Sequence, residues 1–159
     1  MDIPPGGAKF VLQNGSMHST HNGDASLAGG PESTIRRVLL VDDEKSIVDL
    51  FGMILRGAGY FVRTAMNGAA GLSLFESDSW DLVITDRQMP QMDGERLAEE
   101  IKAIAPGTPL ILITGVAHGE SRPELFETVL RKPFSKAALL ASVEEALLAA
   151  PAAAHPPQD

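Results

Sequence analysis

A short, uninterrupted apolar run that ends on an acid constrains this chain more than any other stretch of its sequence. The run Leu82–Ile84 leads into Thr85 and Asp86, and a turn at Asp93–Gly94 follows closely. Apolar runs of this length between turn signals are typical of central strands in a parallel sheet, because such strands are covered on both faces. The pattern therefore predicts a buried parallel strand with Asp86 at its carboxyl end. Asp is also a common turn residue, so taken alone Asp86 is equally consistent with a loop cap.

Four further apolar runs alternate with segments of helical periodicity. These runs are Val38–Val41, Tyr60–Ala65, Pro109–Ile113 and Thr128–Arg131. Helices are predicted around Ile47–Leu55, from Asn67–Gly68, from Asp93 and from Ser135, with a weakly patterned short helix at Pro123–Glu127. Right-handed crossovers between parallel strands place helices on both faces of a sheet. The predicted fold class is therefore α/β, with a doubly wound, five-stranded parallel sheet.

Two helical residues, Leu50 and Ile104, share the spacing of the apolar residues around them. Residues that recur at i, i+3, i+4 and i+7 lie on one face of a helix. The spacing therefore predicts that both side chains are buried against the sheet.

The two ends of the chain differ in composition from its middle. Residues 1–34 are rich in Gly, Ser, Asn, Pro and His, and residues 151–159 are mostly Ala, Pro and His. Segments with few apolar side chains cannot bury enough surface to offset the entropy of ordering. We therefore predict a disordered N-terminal tail at 1–34, a folded domain at 35–150 and a C-terminal tail at 151–159.

Composition excludes several classes of function. The chain has no cysteine, so it has no disulfide, thiol nucleophile or cysteine-bound zinc, and a reducing, cytoplasmic location is expected. The formal net charge of −8 argues against direct binding of nucleic acid, whose partners usually carry a basic face. No apolar run approaches the ~18 residues of a membrane span, so no membrane partner is expected. The four histidines are scattered and do not have the spacing of metal ligands.

Polar residues collect at the ends of the predicted strands. Asp42, Asp43, Asp86, Thr114 and Lys132 all stand at or just past a carboxyl end, where a doubly wound sheet forms its crevice. Two carboxylates about 4 Å apart repel by about 4 kcal/mol at an effective dielectric near 20, so three of them need a positive partner. Magnesium meets that need, since it prefers oxygen ligands and commonly bridges carboxylates to a phosphoryl group. A lysine and a threonine hydroxyl beside it are suited to holding phosphoryl oxygens, although Lys132 alone could be a surface charge.

Four motifs in this chain resemble the receiver domain of two-component response regulators. They are VLLVDDE, DLVITDRQMPQMDG, LILITG and LRKPF, in the order of the family, and the resemblance extends from about Arg37 to Ala149. It implies a flavodoxin-like receiver fold with strand order 2-1-3-4-5. It also implies a cis peptide bond between Lys132 and Pro133.

The same resemblance implies a role for each residue of the predicted crevice. Asp86 is the expected phosphoacceptor, and Mg²⁺ is expected on Asp42, Asp43, Asp86 and the main-chain carbonyl of Gln88. Thr114 is the expected switch hydroxyl, and Lys132 the expected phosphoryl-binding lysine. The implied reaction is in-line attack of the carboxylate on a phosphohistidine of a histidine kinase or histidine phosphotransfer protein. The chain is then a phosphoacceptor switch that promotes its own phosphorylation and dephosphorylation and acts on a downstream protein target.

Two features depart from the family pattern. Many receivers carry an aromatic residue or histidine three positions before the lysine, where this chain has Val129, and residues 116–128 lack the usual alanine-rich fourth helix. We therefore hypothesise that phosphorylation changes the surface formed by residues 115–127. Two other functions remain open: a receiver-like interaction module that is never phosphorylated, and a phosphatase with an aspartate nucleophile. The chain is interpreted as a single-domain regulator or as a receiver cut from a larger protein such as a hybrid kinase.

Overall fold

A computed structural model of the chain describes residues 34–115 and 122–150. The predicted tails, apart from Thr34, and residues 116–121 of the segment after the fourth strand lie outside the described residues. In chain order the elements are β1 (Arg37–Val41), α1 (Lys45–Gly57), β2 (Phe61–Ala65), α2 (Gly68–Ser77), β3 (Leu82–Asp86), α3 (Gly94–Ile104), β4 (Leu110–Thr114), a 3-10 helix (Pro123–Leu125), β5 (Thr128–Arg131) and α4 (Lys136–Ala149).

The five strands form one parallel sheet in the order β2-β1-β3-β4-β5, which confirms the predicted strand order. The register places the carboxyl ends side by side, since Val41 pairs with Thr85 and Asp86 pairs with Ile113. Every residue of β3 and β4 is buried, as expected for strands covered on both faces.

Helices cover both faces of the sheet and form two apolar cores. Under α1 and α4, side chains such as Phe51 and Leu139 pack on alternate residues of the strands. Under α2 and α3, Phe75 and Leu97 pack on the intervening residues. Two of the helices begin at their predicted caps, since Asp93 accepts from the Arg96 amide at 2.8 Å and Ser135 from the Ala138 amide at 3.0 Å.

The prediction that Leu50 and Ile104 are buried is wrong, because their side chains are 48% and 50% exposed. The buried stripe of α1 includes Val48, Phe51 and Leu55, and Leu50 lies to one side of it. Ile104 is on the inward face of α3, but it is the last residue of that helix, beyond the last buried turn at Ile101. Within the described ranges, no helix combines the length and the apolar character that crossing a lipid bilayer demands.

Candidate functional site

Three carboxylates converge at the carboxyl edge of the sheet. Asp42 and Asp43 directly follow β1, and Asp86 is the last residue of β3, the neighbouring strand. One oxygen from each lies within 4.8 Å of the others. Asp42 and Asp86 are buried, whereas Asp43 is exposed. The strand ends therefore bring together the acids that the sequence places far apart.

Lys132 reaches the same cluster from the end of β5. Its ammonium nitrogen lies 3.3 Å from Asp86 Oδ1, as a hydrogen bond, and 3.7 Å from Asp42 Oδ2. The Lys132 amide donates to the Thr114 carbonyl at 2.9 Å, which extends the β4–β5 pairing by one residue. The peptide bond between Lys132 and Pro133 is cis, which confirms the prediction. This lysine is therefore part of the site and not a free surface charge.

Thr114 and Gln88 complete the set of predicted residues. Thr114 is the buried last residue of β4 and lies one position beyond Ile113, the partner of Asp86. The Gln88 amide donates to Asp86 Oδ2 at 3.1 Å, so the two oxygens of that carboxylate have different partners. All six residues predicted from the sequence lie at one edge of the sheet.

Burial sets the electrostatics of this cluster. It raises the pKa of Asp42 from 3.8 to about 6, against the hydrogen bond from the Glu44 amide and with the added repulsion of Asp86. Burial also raises the pKa of Asp86, and the Lys132 ammonium opposes that rise. Asp42 Oδ2 is buried and has no hydrogen-bond donor within the part of the chain that the structure describes. A buried carboxylate oxygen in this position needs an additional positive partner.

The donor set fits a hard divalent cation. Carboxylate oxygens are the ligands that Mg²⁺ prefers, and the three acids face a single described ammonium, that of Lys132. A cation beside Asp42 Oδ2 would supply the missing partner of that oxygen.

Gly94 is a part of the site that the sequence reasoning did not identify. A β-carbon at this position would lie within 2.2 Å of the Asp86 carbonyl oxygen, closer than any real contact allows. The Gly94 amide also donates to the Arg87 carbonyl at 2.9 Å. The glycine therefore lets α3 begin directly against the end of β3. Only the turn formed with Asp93 marked this position in the sequence, and that signal does not reveal a close approach.

Comparison with known proteins agrees with this geometry. The family description "response regulator receiver domain" matches residues 38–144, which is more than half of the chain. The chain belongs to the response regulator receiver family. It is therefore a receiver domain of two-component signalling.

Relatives of this receiver domain include proteins of very different length. It is 40% identical over 116 residues to the transcriptional regulatory protein GlrR of Escherichia coli K12, a match that covers 69% of this chain and 26% of GlrR. The chain thus spans about a quarter of that relative. It is 32% identical over 120 residues to the response regulator receiver protein CpdR of Brucella abortus, covering 73% of this chain and 100% of CpdR.

A solved structure resembles the receiver domain both in fold and in sequence. The response regulator TrrA of Thermotoga maritima, solved in complex with Mg²⁺ and BeF, has a TM-score of 0.66 and 34% identity. The match covers 70% of this chain and 98% of that chain.

Proposed function

We propose that this receiver domain accepts a phosphoryl group on Asp86 from a phosphohistidine of a histidine kinase or histidine phosphotransfer protein. The observation that carries the proposal is the placement of Asp86 Oδ1 at 3.3 Å from the Lys132 ammonium, in a cluster with Asp42 and Asp43. A carboxylate in this setting is held near a positive charge at the carboxyl edge of the sheet, where its side chain keeps 10% of its surface exposed. It can therefore meet a phosphoryl donor from another protein.

The reaction has a simple balance of bonds. A carboxylate oxygen of Asp86 attacks phosphorus in line, the bond from phosphorus to the imidazole nitrogen breaks, and that nitrogen takes up a proton. The product is an acyl phosphate. Lys132 lies where it neutralises charge on the transferring group, and Thr114 can donate its hydroxyl to a phosphoryl oxygen.

Mg²⁺ is the cofactor we propose for this step. Asp42, Asp43 and Asp86 would hold it with the main-chain carbonyl of Gln88, and when bound it would neutralise phosphoryl oxygens during transfer. The support is the chemistry of the acids and the buried Asp42 Oδ2, which has no donor among the described residues.

Phosphorylation serves as a switch in this proposal. An acyl phosphate adds about −2 charge and strong hydrogen-bond acceptors at the end of β3, which can change a neighbouring surface. Hydrolysis of the acyl phosphate at the same site resets the domain, so the protein is not an enzyme for a separate substrate. Its partners are the phosphodonor and a downstream protein target in the cytoplasm, without direct contact to nucleic acid or membrane.

Intact-mass measurement after incubation with Mg²⁺ and acetyl phosphate tests the proposal. We expect one phosphoryl adduct on the wild-type protein and none on Asp86→Asn, which preserves the shape of the side chain but removes the nucleophile. In Asp43→Ala, Mg²⁺ should no longer promote formation of the adduct. Asp93→Asn is the matched control, because Asp93 lies in the same loop and Asn caps a helix as well as Asp does.

Two results would contradict the switch. A wild-type protein that never gains an adduct, from acetyl phosphate or from a phosphohistidine donor, would indicate an interaction module. Continuous hydrolysis of many phosphoesters would indicate a phosphatase.

A further inference from the structure

The chain is anchored at Arg87, the residue between Asp86 and Gln88. Its amide donates to the Ile113 carbonyl at 2.8 Å, and its carbonyl accepts from the Gly94 amide at 2.9 Å. These two bonds join the end of β3 to β4 on one side and to the start of α3 on the other. Gln88 is the next residue, and there the chain leaves the sheet.

The side chain of Arg87 is also fixed. Its Nε lies 3.2 Å from Oε1 of Glu95, in the first turn of α3, and both side chains are less than 20% exposed at 17% and 18%. Glu95 Oε1 is buried, and no donor in the described ranges makes a hydrogen bond to it. The stabilisation of this oxygen therefore comes from the charge of Arg87 and from the amino-terminal end of the helix.

This pairing also limits what Arg87 can do. Although the guanidinium is next to the proposed phosphoacceptor in sequence, its charge is directed to Glu95. The contacts favour a structural role, because an ion pair with both side chains largely buried restricts rotation of the adjoining peptide.

We infer that the Arg87–Glu95 ion pair positions Gln88 for cation binding. The inference rests on the proposed function, in which the Gln88 carbonyl is a ligand of Mg²⁺. The pair restrains the peptide between Arg87 and Gln88, whose N–H donates to Asp86 Oδ2 at 3.1 Å, and this fixes the α-carbon from which the Gln88 carbonyl extends. Neither side chain touches the cation; both act through the main chain of Gln88.

An ion pair that acts only through its charge and one that positions Gln88 differ in their effect on Mg²⁺ binding when one partner is replaced. If the pair acted only through its field, Arg87→Gln would remove a positive charge and strengthen Mg²⁺ binding, whereas Glu95→Gln would weaken it. If the pair positions Gln88, both substitutions weaken binding, by about tenfold for an outer partner of a metal ligand. The double variant should then be no weaker than either single variant, because one interaction is lost in all three.

The experiment measures the Mg²⁺ dissociation constant by titration calorimetry on the full chain, and the exchange rate of the Gln88 amide in the metal-free protein by NMR. Arg96→Gln and Glu100→Gln are matched controls, since that pair lies on the same helix at 2.5 Å and carries the same charges. The controls should change neither quantity by more than about twofold, as expected for exposed pairs. Glu95→Gln should also speed exchange of the Gln88 amide, a readout that needs no cation.

The possible outcomes distinguish the positioning role of the ion pair from the proposed function itself. Wild-type binding with opposite effects of Arg87→Gln and Glu95→Gln, or with no effect of either, would overturn the positioning role alone. A wild-type protein that binds no Mg²⁺ would overturn the proposed cofactor and the inference together. Should Arg87→Gln fail to fold, unchanged exchange of the Gln88 amide in Glu95→Gln would still refute the inference.

Discussion

The carboxyl group of Asp42 makes the stability of the metal-free protein depend on pH. Its pKa is raised from 3.8 to about 6, so the folded chain holds this proton more tightly than the unfolded chain does. The stability contributed by this group is therefore present below about pH 4 and is lost as pH rises through about 6. A shift of this size corresponds to a change on the order of 2–3 kcal/mol.

Asp42→Asn should remove this dependence, because the amide resembles the protonated acid and its Oδ1 can still accept from the Glu44 amide. We expect the stability of the variant relative to the wild type to rise by on the order of 1 kcal/mol between pH 5 and pH 7.5, the rest of the change lying below pH 5. Urea unfolding in the presence of a chelator measures both proteins at each pH. A difference between them that does not change with pH would contradict the assignment.

Gln91 has a backbone conformation that its side chain disfavours. Its φ is 71°, in the left-handed region, where a β-carbon costs roughly 1–2 kcal/mol. Gln91→Gly removes that cost but adds entropy to the unfolded chain, so we expect a net gain of about 0.5–1 kcal/mol in the free energy of unfolding. Gln91→Ala is the control, since it removes the side chain but keeps the β-carbon. If alanine stabilises the protein as much as glycine, the backbone is not the cause.

Among single residues, those with a chemical signature could be predicted and those that act by geometry could not. Asp42, Asp86 and Lys132 were predictable because an acid or a lysine directly after an apolar run must lie at the edge of the sheet. The contact between Gly94 and the Asp86 carbonyl depends on how closely α3 approaches β3. The pairing of Arg87 with Glu95 depends on the direction in which that helix leaves the strand. Neither quantity follows from residue spacing.

At the level of elements, one carboxylate joins three pieces of the fold. Glu127 Oε2 accepts from the Leu110 amide at the start of β4, and Glu127 Oε1 lies 3.4 Å from the Lys102 ammonium on α3. Lys102 also donates to the Thr108 carbonyl at 2.8 Å. Since Glu127 immediately precedes β5, these contacts hold the start of the edge strand against its neighbours.

We expect Glu127→Ala to lower the free energy of unfolding by about 1–3 kcal/mol, because it leaves the Leu110 amide without its side-chain acceptor. Glu124→Ala removes an exposed acid three residues earlier and should leave the free energy of unfolding close to that of the wild type. Thermal or urea unfolding of the two variants decides the matter. Equal losses of stability in the two variants would show that the contacts of Glu127 stabilise the fold no more than an exposed acid does.

Helix faces were the least predictable part of the elements. Apolar spacing identified the helices, but it assigned Leu50 to the buried stripe of α1 although its side chain lies beside that stripe. Gly71 lies inside α2, where glycine lowers helix propensity. In the structure a β-carbon there would lie 2.8 Å from Val41 Cγ2, so glycine allows α2 to pack closely on β1.

At the scale of the whole molecule, the members of the two apolar cores that belong to the described residues lie between Val38 and Leu147. A shortened chain of residues 34–150 should therefore unfold within about 0.5 kcal/mol of the full chain and should show the same stabilisation by Mg²⁺. Parallel urea titrations with and without the cation measure both quantities. A shortened chain that lost more than 2 kcal/mol would contradict the predicted division into a folded domain and two tails.

The site is assembled from the ends of strands that are distant in sequence: Lys132 and Asp86, for example, are 46 residues apart. The proposed ligands of the cation follow β1 and β3, so the unfolded chain offers no complete cation site, and we expect the pairing of these two strands to be completed only after the transition state. Interactions absent from the transition state change the rate of unfolding and leave the rate of folding unchanged. In stopped-flow experiments Mg²⁺ should therefore lower the unfolding rate constant and leave the refolding rate constant unchanged. The cation then stabilises the native state only after the fold has formed without it.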